Sequence, residues 1–464
     1  MKTNLMKLAL TGTLALSAVG VVQAQSDSKS SGSNTDQQNG SAAAPAGLLP
    51  VPDYSTDIWT RQYLTGDWGG ARTNLANKGV QLGVEWNQYV QSVVDGGRER
   101  ATEYGGSFDY RLNLDLMRMG VLPGALIKFR AESRYGRSVN GIAGPILPVN
   151  SDAFFPNTGK LDQDIALAIT DLNYTQFFSE HLGLFAGKLD ILDADPNEFA
   201  SGRGTSQFMN ANFLFNPAVT LRLPYSSLGA GVVWMPIVPG TNGGVTIISM
   251  VINTADSSTT TGFNDFGKGQ TWITEADFQY PLGHLPGGMN VGALYSFNQD
   301  FPKIRSRLVF LPGQGLVVPT QNYTWAVFCS GWQYLYTKES SYRPVDLLNG
   351  EPDRQGIGLF SRFGFADKQT NPTEWAVSVG VGGRGMIPTR DDDAFGIGYY
   401  YNNIQKLRLS GFLGLRNSAQ GFECFYNVAV TPSCHATLDL QLVESGQSRV
   451  NTATILGLRA SVDF

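Results

Sequence analysis

The sequence predicts an all-β protein: a transmembrane antiparallel β-barrel of sixteen strands, preceded by a short N-terminal helical segment. Apolar and polar side chains alternate from Val80 almost to the last residue, Phe464, as they do in strands with two unlike faces. The connections between these segments alternate between short and long, which is typical of barrels with turns on one side of a membrane and loops on the other. Together the two patterns indicate a barrel over residues 80–464.

Bulk composition excludes some classes of protein but does not reveal the barrel. The chain has 464 residues, a formal net charge of -5, a hydrophobic fraction of 42% and a mean hydropathy of -0.12. A mildly acidic balance is a poor match for nucleic-acid binding, which needs basic patches. The totals resemble those of a soluble protein because transmembrane strands give a much weaker bulk signal than transmembrane helices.

The residues before the barrel divide into three parts. Residues 1–24 have the pattern of a secretory signal peptide, with lysines before an apolar run and an A-x-A-like cleavage site, so we expect an exported protein of the bacterial outer membrane. Residues 25–50 are rich in Ser, Gln, Asn and Gly and predict a disordered leader. Residues 51–79 form an N-terminal segment at the periplasmic mouth, where Arg72 to Lys78 fit a two-turn helix closed by Gly79.

Period-two alternation locates sixteen strands. In the second, Phe108 and Tyr110 share an apolar face, while Asp109 and Arg111 lie on the opposite face. The strands are predicted at about 80–94, 107–117, 125–135, 166–177, 182–189, 228–235, 245–253, 271–280, 289–298, 322–336, 356–366, 373–383, 393–401, 422–430, 435–443 and 452–464. An even number lets a barrel close with both termini on one side of the membrane.

A soluble β-sandwich is the alternative fold, because its strands alternate in the same way. The strands continue through nearly the whole chain, and no helical pattern is long enough to build a second layer. Aromatic residues also lie at strand ends on the apolar face, as interfacial girdles require. These residues are Trp86, Tyr110, Trp272, Tyr280, Tyr399 and Tyr401. The barrel is therefore the predicted fold.

The connections support the same topology with some exceptions. Short turns are predicted at 178–181, 281–288 and 431–434, and long loops at 136–165, 190–227, 299–321 and 402–421. The segment 337–355 is too long for the turn side, and 367–372 and 444–451 are short for the loop side. A slip of one hairpin in the assignment therefore stays open.

The segment before the first strand contains a motif. The pattern G-D-W-G-G-x-R-x-x-L-x-x-x-G is met by Gly66, Asp67, Trp68, Gly69, Gly70, Arg72, Leu75 and Gly79. It resembles the entry signature of the carbohydrate-selective (OprB-type) outer-membrane porins. The helix could narrow the periplasmic mouth, or Trp68 and Arg72 could anchor the segment to the barrel wall.

Three later stretches are also similar to that family: 184–190, 357–366 and 423–443. In the last of them Cys424, Ser433 and Cys434 depart from the family pattern. Three cysteines are too few for a disulfide framework, but a single Cys424–Cys434 bridge stays open.

The last strand ends on Phe464, at the point where the chain meets its first strand. Outer-membrane proteins resemble one another in ending on an aromatic residue. The resemblance implies that the barrel-assembly machinery reads Phe464.

Charged residues at two places predict a constriction in the aqueous lumen. The loop 190–227 contributes Asp190, Asp193, Asp195 and Arg203, and inward positions of the second and third strands contribute Asp109, Arg111, Lys128, Arg130, Glu132 and Arg134. The set contains both positively and negatively charged side chains, so it can offer hydrogen-bond donors and acceptors to neutral hydroxyl groups. The pattern favours a hydroxylated solute of low or modest charge.

The resemblance implies a porin for diffusion of small carbohydrates or other polyhydroxylated solutes, without cofactor, metal or energy source. A porin of the same fold selective for organic anions such as hydroxylated carboxylates is the first alternative. A closed-lumen outer-membrane enzyme or binding barrel is the second, but the three histidines lie in or beside predicted turns and form no catalytic pattern. The resemblance leaves a homotrimer or a monomer open.

Overall fold

The structure is a computed structural model that describes residues 47–156, 162–191, 197–220, 223–240, 243–311, 315–342, 354–405 and 414–464. The predicted signal peptide, most of the predicted leader, Asp193 and Asp195 lie outside the described residues. No helix in the part that is described is both long enough and apolar enough to cross a membrane.

Sixteen antiparallel strands form one closed barrel. They are β1 (Val80–Gly97), β2 (Thr102–Asp115), β3 (Ala125–Gly136), β4 (Ile165–Phe177), β5 (Leu182–Asp190), β6 (Ser226–Gly240), β7 (Gly243–Asn253), β8 (Gln270–Leu282), β9 (Leu285–Pro302), β12 (Thr320–Tyr342), β13 (Arg354–Ala366), β14 (Thr373–Arg384), β15 (Ala394–Ile404), β16 (Ser418–Thr431), β17 (Cys434–Glu444) and β18 (Asn451–Asp463). Every predicted strand is present, and no hairpin has slipped.

Several strands are longer than predicted, since β6 extends to Gly240 and β9 to Pro302. Alternation of apolar and polar side chains marks the part of a strand that crosses the hydrocarbon layer. Backbone hydrogen bonds between strands continue beyond that part into water. The segment 299–321, predicted as a loop, also contains a two-stranded hairpin of β10 (Val309–Leu311) and β11 (Gly315–Val317) outside the barrel.

The two faces of each strand differ as predicted. On β17, Asp439 and Gln441 are buried, whereas Leu438 and Leu442 are 57% and 42% exposed. The exposed apolar side chains therefore lie on the outside of the barrel, where they suit lipid.

The first and last strands close the barrel. Trp86 of β1 pairs with Val462 of β18, and the backbone N–H of Phe464 donates to the carbonyl of Val84 at 2.8 Å. The predicted helix is α1 (Ala71–Asn77), which ends before Gly79. Gly79 has a φ of +88°, and a Cβ there would lie 2.5 Å from the carbonyl oxygen of Asp115, so this helix end requires glycine.

Among the described residues, three more short α-helices belong to loops that connect strands. They are α2 (Asn140–Ala143), α3 (Ala211–Leu214) and α4 (Pro217–Thr220). The first lies between β3 and β4 and the others lie between β5 and β6. Both of these loops fold into the barrel and contact its inner wall. For example, Gln441 Nε2 donates to the carbonyl of Val149 at 2.9 Å. The three cysteines are free thiols.

Candidate pore constriction

The loop between β5 and β6 crosses the lumen. We call its described residues (191, 197–220 and 223–225) the inner loop. Its buried aromatic residues Phe199, Phe208 and Phe213 pack against aromatic side chains of the barrel wall. Ring centroids lie 4.9 Å apart for Phe208 and Phe425 and 5.6 Å apart for Phe213 and Tyr400. This apolar contact holds the inner loop against the wall of β12–β16.

Glycines in the wall make room for these aromatic rings. A Cβ at Gly358 on β13 would lie 2.4 Å from the Phe199 ring, and one at Gly398 on β15 would lie 2.4 Å from the Phe213 ring. Such distances are shorter than any real contact, so an alanine at either position would push the inner loop away from the wall.

Buried charged side chains also bind the backbone of the inner loop. Arg362 of β13 donates to the carbonyls of Phe213 and Ala200. The Glu423 carboxylate of β16 accepts from the N–H groups of Met209 and Asn210 at 2.6 and 3.0 Å. Charged hydrogen bonds to a buried backbone are among the stronger ones, because the backbone groups have no water to bind.

Arg459 of β18 completes this attachment. It donates to the carbonyls of Gly204 and Gln207 at 2.6 and 2.9 Å. The inner loop is therefore fastened to β13, β16 and β18. These bonds and the aromatic contacts hold the inner loop on one side of the lumen. A cleft therefore remains between the inner loop and the wall of β1–β3.

A ladder of charges lines that cleft. Arg111 contacts Glu85 at 2.6 Å and Asp109 at 3.1 Å. Arg130 contacts Asp109 at 3.0 Å and Asp190 at 3.4 Å. Each arginine thus bridges two carboxylates. We call Arg111, Arg130 and Arg203, with the carboxylates of Glu85, Asp109, Glu132 and Asp190, the charge ladder.

Arg203 joins the inner loop to the ladder. Its guanidinium contacts Asp190 at 2.8 Å and Glu132 at 2.9 Å, and it also donates to the Tyr225 hydroxyl. The Arg203 backbone has a φ of 55°, in the left-handed region that non-glycine residues rarely adopt. A strained conformation of this kind persists only where surrounding contacts hold it, and it is common at functional sites.

A narrow cleft lies beside the ladder. Its lining includes side chains from β1–β3, from the β3–β4 loop and from the inner loop: Asn87, Ser107, Asp109, Glu132, Asp152, Phe155, Arg203, Thr205 and Tyr225. Burial raises the pKa of the Asp152 carboxyl to about 6. The cleft therefore presents carboxylates, hydroxyls, an amide and an arginine beside aromatic rings.

The structure brings most of the predicted constriction residues together. Asp109, Arg111, Arg130, Glu132, Asp190 and Arg203 all belong to the charge ladder. Arg134 is buried near its loop end and donates to the carbonyl of Gln163 at 2.5 Å. Lys128 is half-buried and pairs in register with Asn113 and Asn173, toward the turn end of the barrel.

Sequence reasoning missed several residues of this site. Five of them are on strands, at positions where the alternation of apolar and polar side chains predicts that the side chain points inward. The alternation does not predict their partners. These residues are Glu85, Asn87, Arg362, Glu423 and Arg459. Asp152 and Tyr225 lie in loops without a periodic signal.

The N-terminal motif lies away from the constriction, at the seam of β1 and β18. Arg72 is buried and donates to the carbonyls of Leu82 and Phe464 at 2.9 and 2.8 Å. Its guanidinium lies 4.5 Å from the Tyr54 ring, 4.1 Å from the Tyr63 ring and 5.1 Å from the Trp68 ring.

Asp67 holds the start of α1, where its Oδ1 accepts from the Thr73 N–H at 2.8 Å. These contacts attach the N-terminal segment to the barrel wall. Across the described ranges, no group of three or more His, Cys, Asp and Glu side chains could hold a metal ion.

The family model for carbohydrate-selective porins of the OprB family matches residues 99–464. The chain belongs to this family. It is a porin of the bacterial outer membrane, as the sequence predicted, and small solutes pass through its barrel. Family and fold both point to a channel.

Individual relatives agree with this assignment. The porin is 22% identical to Porin B of Pseudomonas aeruginosa over 449 residues, which cover 87% of this chain and 91% of that protein. It is also similar to Pseudomonas putida OprB in its high-pH structure, with a TM-score of 0.72 and 19% identity over 87% of this chain and 99% of that one. The low-pH structure gives a TM-score of 0.54 at 18% identity, with the same coverage. At these identities the two structures support the fold alone.

Proposed function

We propose that small neutral carbohydrates and other polyhydroxylated solutes cross this porin by diffusion through the barrel, past the charge ladder. Membership of the carbohydrate-selective family supports this solute class. The observation that carries the proposal is the pairing within the ladder, where each of three arginines contacts two carboxylates. Paired charges produce little net field, so the ladder favours neither an anion nor a cation strongly.

The same pairs leave a surface that suits hydroxyl groups. Carboxylates accept and guanidinium groups donate, and a sugar hydroxyl can do both. Phe155 and Tyr225 stack with ring centroids 4.6 Å apart beside the cleft, where they add apolar surface for the face of a sugar ring. We infer that the constriction selects solutes because its side chains replace the water that hydrates the hydroxyl groups of the solute. These side chains belong to Asp109, Arg111, Arg130, Glu132, Asp190 and Arg203.

The organic-anion alternative has one observation in its favour. Arg134 donates to a carbonyl and forms no ion pair in the part of the chain that the structure describes, so its charge adds a positive region above the ladder. Lys128 lies on the same strand. A hydroxylated carboxylate would be attracted to such a wall.

Proteoliposome swelling with the purified porin tests the proposed function. The solutes are glucose, a disaccharide, a polyol and a hydroxy-acid anion of matched size. We expect glucose and the polyol to enter faster than the anion, because the paired ladder offers hydrogen bonds without net positive charge. Faster entry of the anion, reduced by Arg134→Gln, would support the alternative. No swelling with any solute would contradict an open pore.

We also propose that the barrel-assembly machinery reads the C-terminal Phe464. The position of this residue supports the proposal, because the Phe464 N–H donates to the Val84 carbonyl of β1 at the seam between the first and last strands.

A further inference from the structure

Two buried acceptor atoms beside the cleft have no hydrogen-bond donor among the described residues: Oδ1 of Asn87 and Oδ2 of Asp152. Asn87 is 1% exposed and Asp152 is 8% exposed, and both residues line the cleft. A buried acceptor without a donor costs free energy, so a native protein keeps one mainly where something else binds it.

The remaining polar atoms of the two side chains are bound, which orients the free oxygens. Asn87 Nδ2 donates to Glu85 Oε1 at 2.8 Å, and Asp152 Oδ1 accepts from the Ser107 hydroxyl at 2.6 Å. The Glu85 carboxylate pairs with Arg111 at 2.6 Å and accepts hydrogen bonds, so the Asn87 amide presents its NH₂ group to Glu85 and its oxygen elsewhere.

The carboxylates of the charge ladder differ from Asp152 in this respect. Glu132 Oε1 accepts from Arg203, Tyr225 and Thr170. Asp190 Oδ2 contacts both Arg130 and Arg203. These two carboxylate oxygens are engaged by the protein, whereas Asp152 Oδ2 is buried beside the cleft without a donor among the described residues.

Asp152 also has a rigid support. The neighbouring Asn150 is fully buried, donates to Gln91 Oε1 at 3.0 Å and accepts from the Ala153 N–H at 3.1 Å. The Ser151 N–H donates to the carbonyl of Met209 in the inner loop at 2.9 Å. A binding group held in this way loses little entropy when a solute arrives.

We propose that Asn87 and Asp152 form an acceptor subsite that binds hydroxyl groups of the permeating solute and disfavours anionic solutes. The inference rests on the proposed function and names two residues that set its specificity. A neutral sugar can donate hydroxyl protons to both oxygens. The carboxylate end of an anion has only acceptors to offer, and the Asp152 charge repels it.

The subsite makes discrimination against anions depend on pH. The Asp152 carboxyl, with its pKa raised by burial to about 6, is charged above that pH and neutral below it. The charged or titratable groups that act on Asp152 or share its surroundings are Glu85 and Tyr89 of β1, Asp109 of β2, Glu132, Arg134 and Tyr135 of β3, Asp162 of the β3–β4 loop, Arg203 and Tyr225 of the inner loop, and Arg459 of β18. Entry of an anion relative to a sugar should therefore rise as the pH falls from 7.5 to 5.

The first measurement is the block of the single-channel ion current by glucose. The second is the swelling assay, with glucose and with the hydroxy-acid anion, at pH 5 and pH 7.5. The variants are Asp152→Ala, Asp152→Asn and Asn87→Ala. Glu99→Gln is the control, because it removes one negative charge at the exposed β1–β2 connection outside the lumen. Heat-modifiable migration in gels shows which variants have folded, and isosteric Asp152→Asn preserves the packing.

We expect Asp152→Ala and Asn87→Ala each to raise the half-blocking glucose concentration about tenfold, the effect of losing one good hydrogen bond to a buried acceptor. Asp152→Asn should abolish the pH dependence of the anion-to-sugar ratio. If the wild-type porin admits and binds glucose but the three variants behave like Glu99→Gln, the subsite is overturned and the proposed function stays intact. A wild-type porin that neither admits nor binds glucose would overturn both.

Discussion

Arg203 extends from the inner loop to the opposite wall, where it meets Asp190 and Glu132. Its side chain is 17% exposed, and those of Asp190 and Glu132 are 1% and 9% exposed. Removing one partner of such a buried pair leaves uncompensated charge, which costs about 3–5 kcal/mol. The strained backbone at this position indicates that the same contacts hold the loop in place.

Arg203→Gln should therefore increase single-channel conductance and shift the reversal potential toward cation selectivity. The two carboxylates lose a cation, and the loop loses its link to the ladder. Planar-bilayer recordings under a salt gradient measure both quantities. Arg416→Gln is the control, since its pair with Glu444 lies at the loop end of the barrel, is more exposed and contributes at most about 1 kcal/mol. Equal reversal potentials in the two variants would show that Arg203 does not set the field of the pore.

The inner loop is the element that folds across the wide lumen of the barrel. A barrel of sixteen strands leaves an aqueous channel unless a segment folds into it. Aromatic packing and three charged side chains of the far wall hold this segment. Arg362 is 2% exposed, so its two bonds to loop carbonyls form away from water.

Arg362→Leu should release part of the inner loop and give larger, noisier channels. The Phe213 and Ala200 carbonyls would each lose a buried donor, at about 1–3 kcal/mol for each group. Arg362→Lys should fall between wild type and Arg362→Leu, because an ammonium group cannot reproduce the fork of a guanidinium. Single-channel recordings of the three proteins test this order. A conductance that does not change in Arg362→Leu would contradict a fastening role.

At the scale of the whole molecule, the N-terminal segment covers the seam where the barrel closes. Arg72 links the start of β1, through the Leu82 carbonyl, to the end of β18, through the Phe464 carbonyl. The Leu64 N–H adds a bond to the Asp463 carbonyl at 2.7 Å. The segment therefore contacts both strands of the seam outside their own ladder of hydrogen bonds.

Arg72→Ala should lower the temperature at which the folded porin converts to its unfolded form in detergent gels. The loss includes charged hydrogen bonds worth about 1.5–3 kcal/mol each and contacts with aromatic rings of about 0.5–2 kcal/mol. Lys78→Ala is the matched control, because it removes an exposed cation from the end of the same helix. If both variants convert to the unfolded form at the same temperature as the wild type, Arg72 does not stabilise the seam.

The positions of the strands, their number and the polarity of their two faces could be predicted from the sequence alone. Period-two alternation is a local consequence of strand geometry, so Asp109 and Arg111 could be placed inside without knowing their neighbours. The length and charge of the 190–227 segment also pointed to a constriction. The ends of β6 and β9 could not be predicted, because backbone pairing continues after alternation stops.

Which charges meet, and where the inner loop is attached, depends on how the closed barrel brings distant residues together. The contact of Glu423 with Met209 and Asn210 joins positions more than 200 residues apart, and it exists only because the barrel closes. Asp152 enters the cleft from a loop with no periodic pattern. Ion pairing and burial depend on distances in space, whereas a sequence pattern reports only the direction in which each side chain points.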